Sequence, residues 1–205
     1  MRVAGVDVGA EKKGFHIVML DGNSAKCFHR ETPNEVRFLC ALAGVVAIDA
    51  PCSWACPRVS PTGRSRQAER DLKTHRGIQS FYTPTRARAL ANQKQHYDWM
   101  FNGESLWRAL RAQVRNRPMR LIETFPHGIA CALRGQVLSA KDKRHDRRHL
   151  IQRLGYELDQ PTSIDYLDAT LCAHAAICFA QGKFEEFGDA TEGCIVLPTW
   201  GALPD

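Results

Sequence analysis

Residues 2–20 read RVAGVDVGAEKKGFHIVML and decide the expected fold. The run at residues 2–8 is β-rich and apolar with little alternation, which is typical of a central strand that is covered on both faces. Residues 9–14, GAEKKG, read as a turn, and residues 15–20 as a second strand. This stretch therefore predicts a hairpin at the centre of a sheet, with Asp7 close to the end of its first strand.

The rest of the chain alternates predicted helices with predicted strands. Thr32, Pro33 and Glu35 form a favourable helix start, because they supply a cap, a first-turn proline and a capping-box acid. Strands are expected at residues 25–29, 45–48 and 119–122, with a short apolar run at 194–197. Helices are expected at residues 32–43, 65–75, 88–115 with an interruption at Asn102-Gly103, 126–133, 141–154 and 164–181.

This order predicts an α/β fold with a mixed five-stranded sheet, three antiparallel strands and then two parallel ones, flanked by helices. The last two strands are expected to be parallel because helices separate them along the chain. The order resembles that of the RNase H-like fold. With 205 residues and no evident linker or repeat, we expect a single domain over residues 1–205.

The composition is that of a globular protein without membrane spans. Hydrophobic residues make up 44% of the chain, and no apolar run is long enough for a signal peptide or a spanning helix, so a cytoplasmic location is expected. The eight cysteines are then expected to be free thiols. Cys52 and Cys56 form a close pair, but no second pair accompanies them, so structural zinc is less favoured and their role stays open.

The net charge of +6 is concentrated in two basic segments. Residues 58–88 and residues 141–153 hold most of the clustered lysines and arginines, a pattern that favours a polyanionic partner such as DNA or RNA. The alternative is a solvated helix face. Four residues are expected to bind substrate phosphates: Arg66, Arg70, Arg86 and Lys141.

Five carboxylates have an unusual setting. Asp7, Asp49 and Glu123 each lie where a predicted strand ends, which is where open α/β sheets place their sites. Asp165 and Asp168 are three residues apart and share one face of an otherwise apolar helix. We interpret these five as catalytic residues.

Each carboxylate also has a purely structural interpretation. Asp165 could complement the helix dipole beside the cap Ser163, Asp49 could form a turn, and Glu123 could pair with a basic residue. A charge at Asp168, one turn inside an apolar helix, normally needs a partner. Taken together, the five settings favour a metal site.

Carboxylates grouped in this way are suited to Mg²⁺ or Mn²⁺. Mg²⁺ prefers hard oxygen ligands, and two such ions about 3.5–4 Å apart can stabilise the attacking and leaving oxygens of a phosphodiester displacement. The expected metal ligands are Asp7, Asp49, Asp165 and Asp168.

Several segments also resemble one protein family. They are GVDVG at residues 5–9 with the following KKG, AIDAP at 47–51, RQAERDLKTHRGIQSFYTPTR at 66–86, IETFP at 122–126 and SIDYLDATLCAHAA at 163–176. Together they cover most of the chain and resemble the DUF429 family of predicted RNase H-like nucleases. The acidic set is also similar to that of Holliday-junction resolvases. The resemblance implies a nuclease site at Asp7, Asp49 and Asp168, with Asp165 and Glu123 as further members.

Two parts of the family motif have more than one interpretation. Arg66, Glu69 and Arg70 could bind phosphate or could form an internal salt-bridged brace. The aromatic residues within residues 81–86 could stack on bases or pack within a loop.

The sequence therefore predicts a metal-dependent nuclease acting on DNA or RNA. One alternative is a nucleic-acid-binding or scaffold protein that keeps the fold without catalysis. A weaker one is an actin-like ATPase or sugar kinase, which requires a second phosphate loop that the chain does not contain. The sequence does not decide between DNA and RNA, or between a monomer and a homodimer.

Overall fold

The computed structural model of the protein describes residues 1–92, 97–114, 118–139, 141–159 and 163–203. Its strands are β1 (Val3–Val8), β2 (Phe15–Asp21), β3 (Ser24–Arg30), β4 (Val45–Asp49), β5 (Arg120–Glu123), β6 (Glu157–Leu158), β7 (Phe184–Asp189) and β8 (Gly193–Pro198). Its α-helices are α1 (Pro33–Leu39), α2 (Gln67–Arg76), α3 (Arg86–Ala91), α4 (Asp98–Val114), α5 (Pro126–Arg134), α6 (Lys143–Arg153) and α7 (Ile164–Ala180), and a 3₁₀ turn, Cys40–Leu42, follows α1.

The described strands form one mixed sheet in the order β6-β3-β2-β1-β4-β5-β8-β7. The pairs β1–β2 and β2–β3 are antiparallel, whereas β1–β4 and β4–β5 are parallel. The predicted fold class is confirmed: a mixed sheet with antiparallel and parallel strands is flanked by helices, and the five predicted strands are neighbours in its middle.

Three further strands widen the sheet beyond the predicted five. β8 coincides with the apolar run at residues 194–197, and β6 adds two residues beside β3. β7 was not expected, because its sequence FEEFGD holds two glutamates and a glycine. It lies at the sheet edge and pairs with β8 alone among the described strands, so its polar side chains need no second covering layer.

The sheet separates two hydrophobic cores. Residues of α2, α5 and α7 pack on one face, whereas α1 and α4 pack on the other. α7 lies directly on β1, because a Cβ atom at Gly5 would be 2.0 Å from the Ala169 carbonyl oxygen. Gly5, the first glycine of GVDVG, therefore allows the close approach that holds the acidic turn of α7 over the sheet.

The expected interruption at Asn102-Gly103 is wrong. α4 is continuous there, and a Cβ atom at Gly103 would lie 2.6 Å from the Ala50 Cβ, so the glycine serves packing rather than a turn. The part of the expected helical region at residues 93–96 and at residue 115 lies outside the described residues. Among the helices of the described residues, none combines the length and the apolarity that crossing a membrane requires.

Candidate active site

The site begins with a row of polar side chains across three neighbouring strands. Asp7 on β1 is in register with Asp49 on β4 and with His16 on β2. Neighbouring strands lie about 4.8 Å apart, and register partners project from the same face. Val45 and Ala47, which alternate with Asp49 along β4, belong to the core beneath α7. The row His16, Asp7, Asp49 therefore faces α7.

The first turns of α7 supply the other two aspartates. Asp165 accepts a hydrogen bond from Lys13 Nζ at 2.6 Å, and its Oδ2 lies 3.9 Å from His16 Nε2. His16 Nδ1 is in turn 4.0 Å from Asp7 Oδ2. Lys13 comes from the β1–β2 turn, so the KKG segment and α7 close over one end of the row.

Asp168, one turn further along α7, forms an ion pair with Arg147 of α6. Arg147 is only 3% exposed, so this guanidinium is committed to the carboxylates beneath it. Its charge also acts to lower the pKa of Asp7 and that of Asp49, which places it near all three. The buried charge of Asp168 thus has a partner, as the structural interpretation of this residue required.

The three central aspartates disfavour one another's charge. Burial, followed by the charges of Asp168 and Asp165, raises the pKa of Asp7 to about 7. Burial also raises the pKa of Asp168 to about 6, although Arg147 opposes the rise. The pKa of Asp49 lies well above its usual value, first because of burial and then because of Asp7 and Asp168. Ionising all three aspartates together is therefore unfavourable without a further cation.

The carboxylate oxygens of these aspartates are the kind of ligand that a hard divalent cation prefers. In the described ranges, no group of three or more His, Cys, Asp or Glu side chains is arranged to hold a metal ion as it stands, and Arg147 engages Asp168. Mg²⁺ usually needs only one or two carboxylates, with waters and substrate phosphates completing its shell. Asp7 and Asp49 provide such a pair, with Asp168 facing them.

Glu123 does not join this row. It is in register with Ile48, whose side chain belongs to the core on the opposite face. Both Glu123 oxygens accept hydrogen bonds from Arg66, and Oε2 also accepts one from the Cys52 N–H at 2.7 Å. The structure therefore places Glu123 in an internal ion pair with Arg66, outside the row of aspartates but on the wall of the cavity that Asp49 and Asp168 also line.

Arg66 is likewise not free to bind a phosphate. Its side chain is 1% exposed and lies between Glu69, at 2.8 Å, and Glu123. Thr83 donates a further hydrogen bond to Glu69 at 2.7 Å. Arg66 thus forms the internal salt-bridged brace that was the alternative to phosphate binding.

The other predicted phosphate ligands lie away from the carboxylates. Arg70 braces its own loop, donating to Ser60 Oγ and to the Ser65 carbonyl at 2.7 Å each. Arg86 pairs with Glu104 at 3.0 Å, and Lys141 is exposed. None of these three lines the cavity beside the carboxylates.

A second buried acid, Glu192, was missed by the sequence reasoning. Its side chain accepts hydrogen bonds from the Cys56 and Gln67 N–H groups, both at 2.6 Å, and from Ser60 Oγ at 3.0 Å. With Glu123 it thus fixes the backbone of the loop after β4. Cys52 and Cys56 contribute backbone N–H groups here, and all eight cysteines are free thiols.

A cavity of about 330 Å³ opens beside the carboxylate row. Asp49 and Asp168 line it, together with Arg147 and Lys143 of α6. Residues around 80–83 and Trp99 form another part of the wall.

His16 and Arg147 were also missed from the sequence, because nothing local marks a strand histidine or one arginine of a basic helix as a neighbour of Asp7 or Asp168.

Comparison with known proteins places the chain in a family. A solved structure of RuvC from Thermus thermophilus shares 16% identity over 89% of this chain and 97% of its own, with a TM-score of 0.45. No curated protein matches. The model of a family described as "Protein of unknown function (DUF429)" matches residues 5–192, as the resemblance of the motifs predicted. The chain belongs to the DUF429 family.

Proposed function

We propose that this protein is a divalent-metal-dependent nuclease that hydrolyses phosphodiester bonds in DNA or RNA. The observation that carries the proposal is the register of Asp7 with Asp49 beneath Asp168: burial and the charge of Asp168 raise the pKa of both strand aspartates. Such excess negative charge is what a bound cation relieves. Phosphate is the substrate group suited to the cationic wall beside it.

Asp7, Asp49 and Asp168 would hold Mg²⁺ or Mn²⁺, with Asp165 at the edge of the set. When bound, the cation supplies Lewis acidity toward the scissile phosphate and lowers the pKa of a coordinated water. Lys13 holds Asp165 in place at the end of the row through a hydrogen bond, and His16 lies beside it. Lys143, on the cavity wall, attracts the phosphate backbone and orients it toward the aspartates.

The test is a cleavage assay on labelled single-stranded, duplex and branched DNA and RNA, with Mg²⁺, Mn²⁺ or EDTA. We expect divalent-dependent cleavage by the wild type and its loss in Asp49→Asn, which keeps the side-chain shape but removes a charge. Asp71→Asn, on the partly exposed surface of α2 and outside the carboxylate row, is a control for a lost carboxylate. Cleavage that survives EDTA or Asp49→Asn would contradict the proposal.

One observation favours a second candidate, a nucleic-acid-binding protein without catalysis. The Arg147–Asp168 ion pair already balances part of the carboxylate charge, as a purely structural site would require. This candidate predicts nucleic-acid binding with no cleavage under any metal and no dependence of the melting temperature on Mg²⁺.

A further inference from the structure

The cavity beside the carboxylates has an aromatic side as well as a charged one. Phe81 and Trp99 both line it, with ring centroids 6.0 Å apart and planes at 63° to each other. Phe81 is 73% exposed, although it lies on a segment whose neighbour Thr83 is fully buried and bonded to Glu69. A fixed loop therefore presents an uncovered ring at the cavity.

The charged side is built by one face of α6. Lys143 and Arg147 are four residues apart, so they share a helix face, and both line the cavity. The acids Glu69 and Glu123, which also line the cavity, are paired with Arg66. A ligand in this cavity thus meets aromatic rings, cations and the aspartate row.

We propose that the cavity takes a single unstacked nucleotide, whose base stacks on the exposed ring of Phe81 beside Trp99 while its phosphate lies toward Lys143 and the aspartates. Base stacking on aromatic side chains needs a base whose face is free. A volume of about 330 Å³ is at the small end for ligand sites, which favours one nucleotide over a base pair with its stacked neighbours. The favoured substrate of the proposed nuclease is therefore a single strand, or an unpaired nucleotide within a branched one.

This inference rests on the proposed function but is tested by binding alone. A single-stranded oligonucleotide with one 2-aminopurine is titrated with protein in Ca²⁺, and the integrity of the strand is checked on a gel. The emission of 2-aminopurine falls when the base stacks. Phe81→Ala is compared with Phe81→Trp, which keeps an aromatic face, and with Phe38→Ala, which removes an equally exposed ring (71%) from α1 that does not line the cavity.

We expect wild type, Phe81→Trp and Phe38→Ala to bind and quench alike. Phe81→Ala should lose the quenching and bind the single strand about 5- to 100-fold more weakly. Its affinity for a blunt duplex should not change. Wild-type affinity and quenching in Phe81→Ala would overturn the inference, as would a blunt duplex bound as tightly as the single strand.

The two proposals fail separately. Quenched, Phe81-dependent binding without cleavage under any metal would remove the nuclease proposal and leave the nucleotide pocket. Metal-dependent cleavage that is unchanged in Phe81→Ala would remove the nucleotide pocket and leave the nuclease proposal.

Discussion

Asp7 and Asp49 are register partners on the adjacent parallel strands β1 and β4, so their carboxylates leave the sheet side by side on the face covered by α7. Two like charges in a buried site are unfavourable unless a proton or a cation is shared between them. This single relationship connects the fold to the proposed chemistry, and its consequences for stability, metal binding and nucleic-acid binding can each be measured.

The first prediction concerns pH. The pKa of Asp7 is raised from 3.8 to about 7, so between about pH 4 and pH 7 the folded state binds more protons than the unfolded state. The contribution of Asp7 to the free energy of unfolding should therefore increase as the pH falls through about 7. One group contributes at most about 1.4 kcal/mol per pH unit.

Urea unfolding of the metal-free protein between pH 8 and pH 5 measures this effect. Asp7→Asn removes the titration, and the difference between variant and wild type cancels the contribution of the buried histidines. The variant should be more stable than wild type at pH 8, with the gap closing toward pH 5. A gap that does not change with pH would contradict the repulsion inferred for Asp7.

The second prediction concerns Arg147. Arg147→Met leaves Asp168 without its buried partner, and the metal-free protein should lose about 3–5 kcal/mol of unfolding free energy. Mg²⁺ should restore part of this loss, because a cation can replace the missing charge. Thermal melts with and without Mg²⁺ measure both effects.

Arg144→Met, an exposed position of the same helix, is the matched control and should behave as wild type. A Mg²⁺-dependent shift of the melting temperature that is no larger in Arg147→Met than in wild type would count against cation binding at Asp168.

The sequence predicts the strands of the site but not their register. The strands that carry Asp7 and Asp49 were predictable, because central parallel strands are marked by local apolar runs. Glu123 differs from Asp49 in parity: it ends a strand as Asp49 does, but it is in register with Ile48 and points to the other face. Strand ends were visible in the sequence, whereas register was not.

The contacts of Arg66 and Arg147 show a second limit. Both lie in basic segments that favour a nucleic-acid surface, yet both are buried against acids 57 and 21 positions away along the chain (66 to 123, and 147 to 168). Charge clustering in a sequence cannot separate arginines that face solvent from those that enter the core, because their partners are distant in sequence.

The third prediction concerns the internal brace that Arg66 forms with Glu69 and Glu123. Arg66→Met leaves Glu69 and Glu123 buried without a balancing charge, so we expect a loss of about 3–5 kcal/mol. Arg70→Met, which loses hydrogen bonds to neutral groups at a partly exposed position, should cost clearly less. Chemical denaturation compares the two, and equal losses would contradict the central place of Arg66.

The fourth prediction concerns phosphate binding by Lys143. Lys143→Ala should weaken binding of a single strand and reduce the slope of log affinity against log salt by about 0.7–1, the value for one lost phosphate contact. Lys26→Ala, exposed on β3, is the control. Equal slopes in Lys143→Ala and wild type would show that the α6 face does not contact the backbone.

The central claim, that the row of aspartates is a divalent-cation site, is tested most directly by titrating the nucleic-acid-free protein with Mn²⁺ and following free Mn²⁺ by electron paramagnetic resonance. We predict saturable binding to wild type at pH 8, strongly weakened in Asp49→Asn and competed by Mg²⁺. Absence of saturable binding, or identical binding by Asp49→Asn, would contradict the account.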